Sequence, residues 1–467
     1  MSSALMANQT NNISNKKVAL VIAALGAFLT PFMGSSVNIA LPAIGNEFSI
    51  DAVLLGWVAT SYLLAAAVFL VPFGKIADIH GRKKIFTYGI LVYTVSSFLC
   101  GFAASEIVLI IFRVFQGIGS AMIFGTSLAI LTSVFHPEER GKAFGLTVGM
   151  VYLGLTLGPF LGGFMTQYLG WRSIFLLNVP LGLIVFSLIL WKLKGEWAEA
   201  KGETFDFRGS LIYILSLASL IYGFSLLPKP AGAALTLLGL VGILFFIKWE
   251  LKAKNPVLDM NLFRKNRVFA FSNLSALINY SSTFAVGFLL SLYLQYIKEL
   301  NPMDAGLILA AQPIMMTLFS PVAGRLSDKI EARLVASAGM ALTFISILFF
   351  IFLTEQTKTA YIIINLIILG LGLAFFSSPN TTVAMNSVEK KFYGVASAAL
   401  GTMRLTGQML GMGIAMVVFA VYLGNVMITP EYYQLFMTSM KTAFMVFAVL
   451  CFIGIFASIA RGNPDDN

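Results

Sequence analysis

The sequence predicts an all-α membrane protein of fourteen spanning helices, arranged as two six-helix halves with one additional pair of helices between them. Composition, the number of long apolar runs and a repeat 250 residues apart support this prediction. The chain of 467 residues is 58% hydrophobic and only 11% charged, with a mean hydropathy of +0.87. A soluble domain carries roughly 25% charged residues. This chain therefore has too few charges to cover a surface in water, and a membrane is its expected environment.

The long apolar runs predict helices rather than strands. About 20 apolar residues cross the hydrocarbon core as a helix, and only helices or closed barrels satisfy the backbone there. The apolar residues are continuous and do not alternate with polar ones, which favours helices. The fourteen runs lie at 18–41, 53–74, 85–104, 107–134, 143–168, 171–191, 209–228, 231–247, 268–296, 305–323, 334–354, 359–379, 394–423 and 442–460.

Positive charge lies mostly on one side of these runs. With the N-terminus inside, 24 of the 31 Lys and Arg residues fall inside, 5 fall outside, including Arg172 at the end of its run, and 2 lie deep within runs. An excess of Lys and Arg marks the cytoplasmic side, so both termini are expected in the cytoplasm. This distribution accounts for the net charge of +10 without a nucleic acid as partner. The polar first 15 residues lead into a run too long for a signal-peptide core, so we expect no cleaved signal.

A repeated loop pattern indicates duplicated halves. Gly74–Arg82 follows G-x3-D-x3-R, and Gly324–Arg333 follows G-x3-D-x4-R. An offset of 250 residues is too long for a solenoid and suits a chain built of duplicated halves. The predicted division is a cytoplasmic tail at 1–17, a six-helix half at 18–195, an intervening segment at 196–264 with the extra helices 209–228 and 231–247, a second half at 265–461, and a cytoplasmic tail at 462–467.

The loop Gly74–Lys84, with the sequence GKIADIHGRKK, joins two apolar runs on the cytoplasmic side. The Asp78 carboxylate can pair with Arg82 or accept hydrogen bonds from the N-terminus of a neighbouring helix. Gly81 can adopt a positive φ in the turn. Alternatively, these charges form no specific contacts, and the loop is an ordinary basic loop on the cytoplasmic side.

Five motifs in order along the chain resemble the major facilitator superfamily, and in particular its fourteen-helix drug:proton antiporter branch. They cover essentially the whole chain, although motifs of this kind indicate a fold better than a substrate. The motifs are Gly74, Asp78, Gly81, Arg82 and Lys83; Arg113-Val-Phe-Gln116-Gly117; Gly154-x3-Gly158-Pro159-x2-Gly162-Gly163; Val37-Asn38-Ile39-Ala40-Leu41-Pro42; and Trp57 with Tyr62 and Trp171-Arg172-x5-Asn178-x-Pro180.

The resemblance implies a multidrug-efflux type of transporter in a prokaryotic plasma membrane, working as a monomer by alternating access. The proton gradient is its implied energy source, with no bound cofactor, and a small molecule and the lipid bilayer are its implied partners. The first loop, with Gly324 and Asp328 in its repeat, would be a gate latch that holds the halves together on the inside. The glycines of helix 5 with Pro159 would form a pliable interface between halves, with ordinary small-residue packing as the alternative.

The chain departs from that branch at the position of its usual intramembrane acid. A deep carboxylate can bind a lipophilic cation and exchange it for a proton. The branch commonly has an Asp five residues before Asn38, and here Met33 stands in that place. None of the 21 acidic residues lies deep in an apolar run. The acids expected at the extracellular rim, which could carry protons instead, are Glu47, Asp51, Glu106, Glu299 and Asp304.

Two arginines, Arg113 and Arg404, lie within the apolar runs. Arg404 is about 15 Å and Arg113 about 10 Å from the start of its helix, at 1.5 Å per residue. Arg113 shares a helix face with Gln116, as does Arg404 with Gln408. An intramembrane arginine costs about 2.5–3.5 kcal/mol on insertion scales. Each is therefore expected either to anchor neighbouring helices through hydrogen bonds or to bind an anionic or zwitterionic substrate group.

Other polar residues in the runs are candidates for a central cavity. Each could equally bond to a neighbouring helix, because a polar group in apolar surroundings needs a partner. They are Asn38, Ser61, Tyr62, Tyr152, Asn178, Asn273, Tyr280, Gln312 and Asn380. The two cysteines, Cys100 and Cys451, lie in runs and are expected to be packing residues.

Three function classes follow from these features. The first is a secondary transporter that exports amphipathic compounds by proton antiport. The second is a facilitator or symporter for an organic anion or lipid-like substrate recognised by Arg113 and Arg404. The third is a receptor or assembly protein without turnover. The sequence shows no Gly-x4-Gly-Lys-Ser/Thr phosphate loop, and no nucleophile–base arrangement, so neither an ATP-driven pump nor an enzyme is expected.

Overall fold

The computed structural model describes residues 2–389, 393–424 and 426–462, so most of the predicted 462–467 tail lies outside the described residues. Its α-helices are α1 (Ser2–Phe48), α2 (Ala52–His80), α3 (Arg82–Gly101), α4 (Glu106–Val134), α5 (Pro137–Leu169), α6 (Arg172–Lys192), α7 (Phe207–Ser225), α8 (Pro230–Glu250), α9 (Asn261–Lys265), α10 (Arg267–Leu292), α11 (Pro302–Leu309), α12 (Ala311–Ser327), α13 (Ala332–Phe350), α14 (Thr359–Asn386), α15 (Tyr393–Tyr422) and α16 (Tyr433–Ala460).

The described residues contain fourteen helical segments long and apolar enough to cross a membrane, which confirms the predicted fold class. A π-helical turn, Tyr293–Ile297, extends α10, and α11 with α12 forms one span interrupted at Ala310. The interruption precedes Pro313, whose ring lacks an N–H and crowds the carbonyl four residues earlier.

The last helix is longer than the apolar run at 442–460 predicts. α16 begins at Tyr433, so Lys441 lies within it, about 12 Å from its start at 1.5 Å per residue. Lys441 is therefore a further basic residue within a membrane-spanning helix, although it lies outside the predicted apolar run. A lysine can run its aliphatic stem along apolar surface while its ammonium group reaches water, which explains why the apolar run begins after the helix does.

The helices pack within two halves. In the first half, α1 packs along α5, α2 and α3 along α4, and α3 along α6. In the second half, α10 packs along α15, α13 along α14, and α16 along both α10 and α13. The additional pair, α7 and α8, pack on each other, and α7 touches both α2 and α15. The pair therefore lies at the seam between the halves.

Hydrogen bonds between the two halves lie in the extracellular part of the seam and at mid-membrane. On the extracellular side, Ser291 Oγ donates to Asn38 O (2.7 Å), and Gln295 Nε2 donates to Ile39 O (3.0 Å). Ala52 N donates to Val426 O (3.4 Å). Among the described residues, none joins the halves near the cytoplasmic face. The halves meet on the extracellular side, and we interpret this arrangement as inward-facing.

The helix-5 glycines divide between two neighbours. A Cβ on Gly154 or Gly162 would lie 2.7 Å from Phe28 O and 2.9 Å from Ser36 Cα, both on α1 of the same half. Gly158 likewise contacts Ser35 of α1. The expectation that these glycines form the interface between halves is corrected here, because glycines four apart share one face and that face is turned to α1.

The contact between halves is made by Pro159 and Gly163. A Cβ on Gly163 would overlap the Pro302 carbonyl oxygen, and one on Gly306 would overlap the Pro159 carbonyl oxygen. Helices approach this closely only where a side chain is absent. In contrast, a Cβ on Gly145 or Gly149, nearer the cytoplasm, would have no atom within 4 Å, as expected where the halves separate.

Candidate functional site

A cavity of about 230 Å³ lies between the halves, with walls from both. The first half contributes residues of α1, α2, α4 and α5, and the second contributes residues of α10, α11, α12, α14 and α15. The polar residues that line it are Thr30, Ser35, Asn38, Tyr62, Ser120, Tyr280, Thr283, Gln312, Arg404 and Gln408. Arg404 is the only charged residue among the described residues lining the cavity, and no carboxylate accompanies it.

Arg404 is available to a ligand. Its Cζ lies 5.1 Å from the centre of the Tyr280 ring, and Tyr280 Oη is 3.1 Å from Ser377 Oγ. Among the described residues, the Arg404 guanidinium makes no hydrogen bond or ion pair. A guanidinium group offers five N–H donors in a planar fork, so stacking on Tyr280 orients it while leaving its donors free for the cavity.

Three carboxamide side chains join Arg404 around the cavity: Asn38 on α1, Gln312 on α12 and Gln408 on α15. Asn38 Oδ1 is buried and has no hydrogen-bond partner. A buried polar atom left unpaired costs free energy, so this oxygen is an acceptor to which a bound solute can donate.

Tyr62 connects the cavity wall to a buried network behind it. Its hydroxyl donates to Ser120 Oγ (2.8 Å), and its ring lies 4.5 Å from Arg113 Cζ. Arg113 is fully buried, donating from Nε to Val58 O (3.0 Å) and from Nη1 to Gln116 Oε1 (2.7 Å). Arg113 does not line the cavity. Its bonds instead link α4 to α2, which is the anchoring alternative of the two considered for this residue.

We expect replacing Arg113 with Gln to lower stability more than substrate affinity. The change removes two hydrogen bonds of a charged donor, each worth about 1.5–3 kcal/mol, without altering the cavity lining. Thermal unfolding in detergent should therefore shift down, while the substrate KM changes less than about threefold. Arg404→Gln is the matched control, for which we expect a large rise in KM and little change in thermal stability. A normal melting curve with a large rise in KM for Arg113→Gln would contradict the anchoring role.

The remaining sequence candidates lie outside the cavity. Gln116 Nε2 donates to Ser97 Oγ (2.7 Å), and Asn178 Oδ1 accepts from Tyr93 Oη (3.2 Å). Asn380 bonds to Ser272 O and to Arg461. Seven of the predicted cavity residues pack between helices and do not line the cavity. They are Arg113, Gln116, Ser61, Tyr152, Asn178, Asn273 and Asn380. The cavity expectation for them is corrected, because a buried amide or hydroxyl bonds a neighbouring helix as readily as it faces a solute.

Three of the five rim acids, Glu47, Asp51 and Asp304, have structural partners, and Asp304 accepts from Asn301 Nδ2 at 2.8 Å. Glu47 pairs with Arg172 (2.6 Å) and accepts from Trp171 Nε1 (2.7 Å). Asp51 caps α2 through Val53 N and Leu54 N, both at 2.8 Å. Met33, in place of the branch's usual acid, is fully buried and does not line the cavity.

The cytoplasmic loop forms an ion pair between Asp78 and Arg82 (2.7 Å). Arg82 Nη1 also donates to Ser133 Oγ (2.7 Å) on α4 and to Glu199 Oε1 (2.6 Å) in the segment after α6. The predicted positive φ of Gly81 is confirmed at +117°. Among the described residues, the bonds of this loop stay within the first half and that segment, and none of them joins the halves.

Sequence reasoning missed the cavity-lining residues Thr30, Ser35, Ser120 and Thr283 and the buried Arg461. Ser120 follows Gln116 by one helical turn, a spacing that puts both on one face and could have revealed it. Arg461 follows α16 and is fully buried, donating to Asn380 Oδ1 (2.8 Å) and Ser458 Oγ (3.1 Å). Burial, together with the nearby charge of Arg333, lowers the pKa of Arg461 to about 10, which still leaves it charged at neutral pH. Its position just beyond an apolar run gave no signal of burial.

The sequence profile of the Major Facilitator Superfamily matches residues 23–412, with a second match over 272–466. The chain belongs to the major facilitator superfamily. It is accordingly a secondary transporter in the cell membrane and not an enzyme.

Relatives of this superfamily member carry named transport functions. It is 32% identical over 450 residues to the riboflavin transporter RibZ of Clostridioides difficile, covering 96% of this chain and 98% of that protein. It is 30% identical to the multidrug resistance protein Stp of Mycobacterium tuberculosis, covering 87% and 76%. It is 29% identical to multidrug resistance protein 3 of Bacillus subtilis, covering 85% and 79%.

Two solved structures share the fold. The nucleoside transporter NupG superposes with a TM-score of 0.65 at 14% identity, covering 95% of this chain and 99% of that one. A bacterial homologue of the human lysosomal transporter Spinster superposes with a TM-score of 0.66 at 18% identity, covering 96% and 97%. These likenesses support the fold of this superfamily member and carry no information on its substrate.

Proposed function

We propose that this transporter carries a planar heteroaromatic solute that is neutral or anionic, and that a flavin such as riboflavin is the first substrate to test. The observation that carries the proposal is the Arg404 guanidinium, which stacks on Tyr280 and has neither an ion-pair partner nor a carboxylate beside it among the described residues. The relative whose name records a riboflavin transporter, at 32% identity over nearly the whole chain, supports the same solute class.

The chemistry of a flavin matches the cavity lining. The isoalloxazine ring has two carbonyl oxygens that can accept from Arg404 and from the Gln408 amide. Its N3–H can donate to an amide oxygen such as the unpartnered Asn38 Oδ1. Its flat faces suit the aromatic rings of Tyr62 and Phe284, since such rings pack favourably face-offset or edge-on.

A lipophilic cation fits the same cavity less well. Arg404 repels it, and no carboxylate in the described lining offsets that repulsion. Like charges brought together at low dielectric are costly. The charge of the cavity therefore favours neutral and anionic solutes over the cations that the usual intramembrane acid would attract.

The decisive experiment is transport of radiolabelled riboflavin into proteoliposomes of the purified protein, with ethidium as the cationic comparison. We expect saturable riboflavin flux that lumichrome, which keeps the ring but lacks the ribityl chain, inhibits competitively. Empty liposomes and the Arg404→Gln variant are the controls. Ethidium flux equal in the wild type and Arg404→Gln, together with no riboflavin flux, would overturn the proposal.

Proton-coupled export of amphipathic drugs is the second candidate. The names of the relatives Stp and multidrug resistance protein 3 favour it, as do the apolar cavity residues Phe124, Phe284 and Met316. Cells that express the protein should then lose drug export when the inside-alkaline pH gradient is collapsed. Export that becomes faster after the collapse would exclude proton antiport.

A further inference from the structure

We propose that the acidic segment between α6 and α7 holds the cytoplasmic loop Gly74–Lys84 and thereby stabilises the inward-facing arrangement. We call residues 193–206 the acidic strap. It carries Glu196, Glu199 and Glu203, and it leads into the additional pair α7 and α8. The strap gives this additional pair a role in setting which side of the transporter is open.

Each glutamate of the strap binds a different residue of the loop. Glu199 Oε1 pairs with Arg82 Nη1 at 2.6 Å, and Glu203 Oε2 pairs with Lys75 Nζ at 2.6 Å. Glu196 Oε1 accepts from the backbone N–H of Lys83 at 2.9 Å. The strap thus neutralises or caps the loop at three points along its length.

Backbone hydrogen bonds fix the strap in register with the loop. Arg82 N donates to Trp197 O (2.8 Å), and Ala200 N donates to Asp78 O (2.9 Å). In addition, Lys83 Nζ donates to Leu193 O (2.6 Å). Bonds that run in both directions between two backbones define one relative position, so the side-chain pairs are held in place and not scattered by chance.

The strap binds Arg82, the side chain that a gate between the halves would use. Arg82 is only 5% exposed. Its Nε and Nη2 bind Asp78, while its Nη1 binds Glu199, Ser133 Oγ and the Ala129 carbonyl. Each of the three side-chain nitrogen atoms of Arg82 therefore already has a partner in the first half or the strap. Closing the cytoplasmic side therefore requires Arg82 to release part of this set, and the exposed Glu199 contact is the easiest to release.

The ends of the strap connect it to both halves. At its start, Asn15 of α1 exchanges two hydrogen bonds with the Lys194 backbone (3.0 and 3.1 Å). At its end, Asp206 caps α7 through Gly209 N and accepts from Trp249 Nε1, both at 2.8 Å. α7 then bonds to α2 through Tyr213 Oη and Ala67 O (3.2 Å) and contacts α15. Movement of the halves is therefore transmitted to the strap.

A second cytoplasmic segment shows that such pairing is not a general property of charges on this face. The stretch from Lys248 to Arg267 carries six exposed basic residues: Lys248, Lys252, Lys254, Arg264, Lys265 and Arg267. Among the described residues, none of the six forms an ion pair. In the loop, in contrast, Lys75 pairs with Glu203, and Arg82 pairs with Asp78 and Glu199.

The test measures how readily a cavity thiol reacts from the cytoplasmic side. Gly34 lines the cavity, and a Cβ there would have no atom within 4 Å, so Gly34→Cys is a suitable reporter. Cys100 and Cys451 are fully buried, which keeps the background low. Inverted membrane vesicles are treated with a membrane-impermeant maleimide, and the labelling rate reports the inward-facing fraction.

We expect Glu199→Gln to lower the labelling rate about threefold, and Glu196→Gln, Glu199→Gln and Glu203→Gln together to lower it roughly tenfold, as suits partly exposed ion pairs. Glu355→Gln, an exposed acid outside the strap, is the charge-matched control and should leave the rate unchanged. High salt should shift the wild type towards the triple variant, since exposed pairs are screened.

A charge exchange distinguishes the loss of ion pairs between the strap and the loop from a general loss of folding. Lys75→Glu should slow labelling, and adding Glu203→Lys should restore it. Unchanged labelling in a monodisperse triple variant would overturn the proposal, as would failure of the exchange to restore the rate. Neither result depends on the identity of the substrate. The proposal about the strap can therefore be contradicted while the proposal of a flavin substrate remains supported.

Discussion

Arg404→Gln is expected to raise the KM for a flavin or another anionic or neutral heteroaromatic substrate roughly 10- to 100-fold. A hydrogen bond from a charged donor is worth about 1.5–3 kcal/mol, and Arg404 is the charged donor of the described cavity lining. Its replacement leaves Tyr280 and the helix packing in place, so thermal stability should change little. Initial rates of riboflavin flux into proteoliposomes at varied concentration measure the effect.

Arg404→Lys and Arg264→Gln complete this experiment. Lysine keeps the charge but loses the planar fork, so its KM should lie between those of the wild type and Arg404→Gln. Arg264 is exposed on the short cytoplasmic helix α9, and its replacement should have no effect. Equal KM values for the wild type and Arg404→Gln would show that the cavity does not recognise the substrate through this residue.

Gly163→Val is expected to reduce transport more than tenfold by preventing the halves from meeting on the extracellular side. A side chain at this position would overlap the Pro302 carbonyl of α11, and added bulk at a tight contact typically costs about 1–3 kcal/mol. This cost falls on the inward-facing arrangement, in which the two halves touch there. Transport cycles need both arrangements, so destabilising one slows turnover.

Gly149→Val, on the same helix, is the matched control. A Cβ there would have no atom within 4 Å, and valine is no worse than glycine within a helix. A Ser291→Cys reporter, buried where the halves meet, should become reactive to an external impermeant maleimide only with Gly163→Val. Wild-type transport and an unreactive thiol in that variant would show that the contact does not limit opening.

The sequence predicted the membrane architecture well because that architecture depends on local properties. Length and continuity of apolar runs follow from bilayer thickness, and the positive-inside pattern follows from short loops. The fourteen spans were therefore predictable, and the family match confirms the superfamily. The start of α16 was missed because Lys441 interrupts its apolar run without interrupting the helix.

The candidate site was harder to predict because every buried polar residue in a membrane helix has two plausible environments. Arg113 and Arg404 have the same sequence signature, an arginine with a glutamine one turn later. Arg113 packs between helices, whereas Arg404 lines the cavity. The difference comes from the rotation of each helix against its neighbours, which no spacing within one helix records.

The sequence by itself determined the number of spans and the absence of an acid at Met33, and it predicted the orientation in the bilayer and the duplicated halves. These follow from hydropathy, charge and residue identity along the chain. Only the tertiary structure decided that Arg404 faces the cavity on Tyr280 and that Pro159 and Gly163 join the halves. It also decided that the acidic strap binds the loop at Arg82. The physical reason is that these contacts join residues more than 100 positions apart or depend on how helices rotate as they pack.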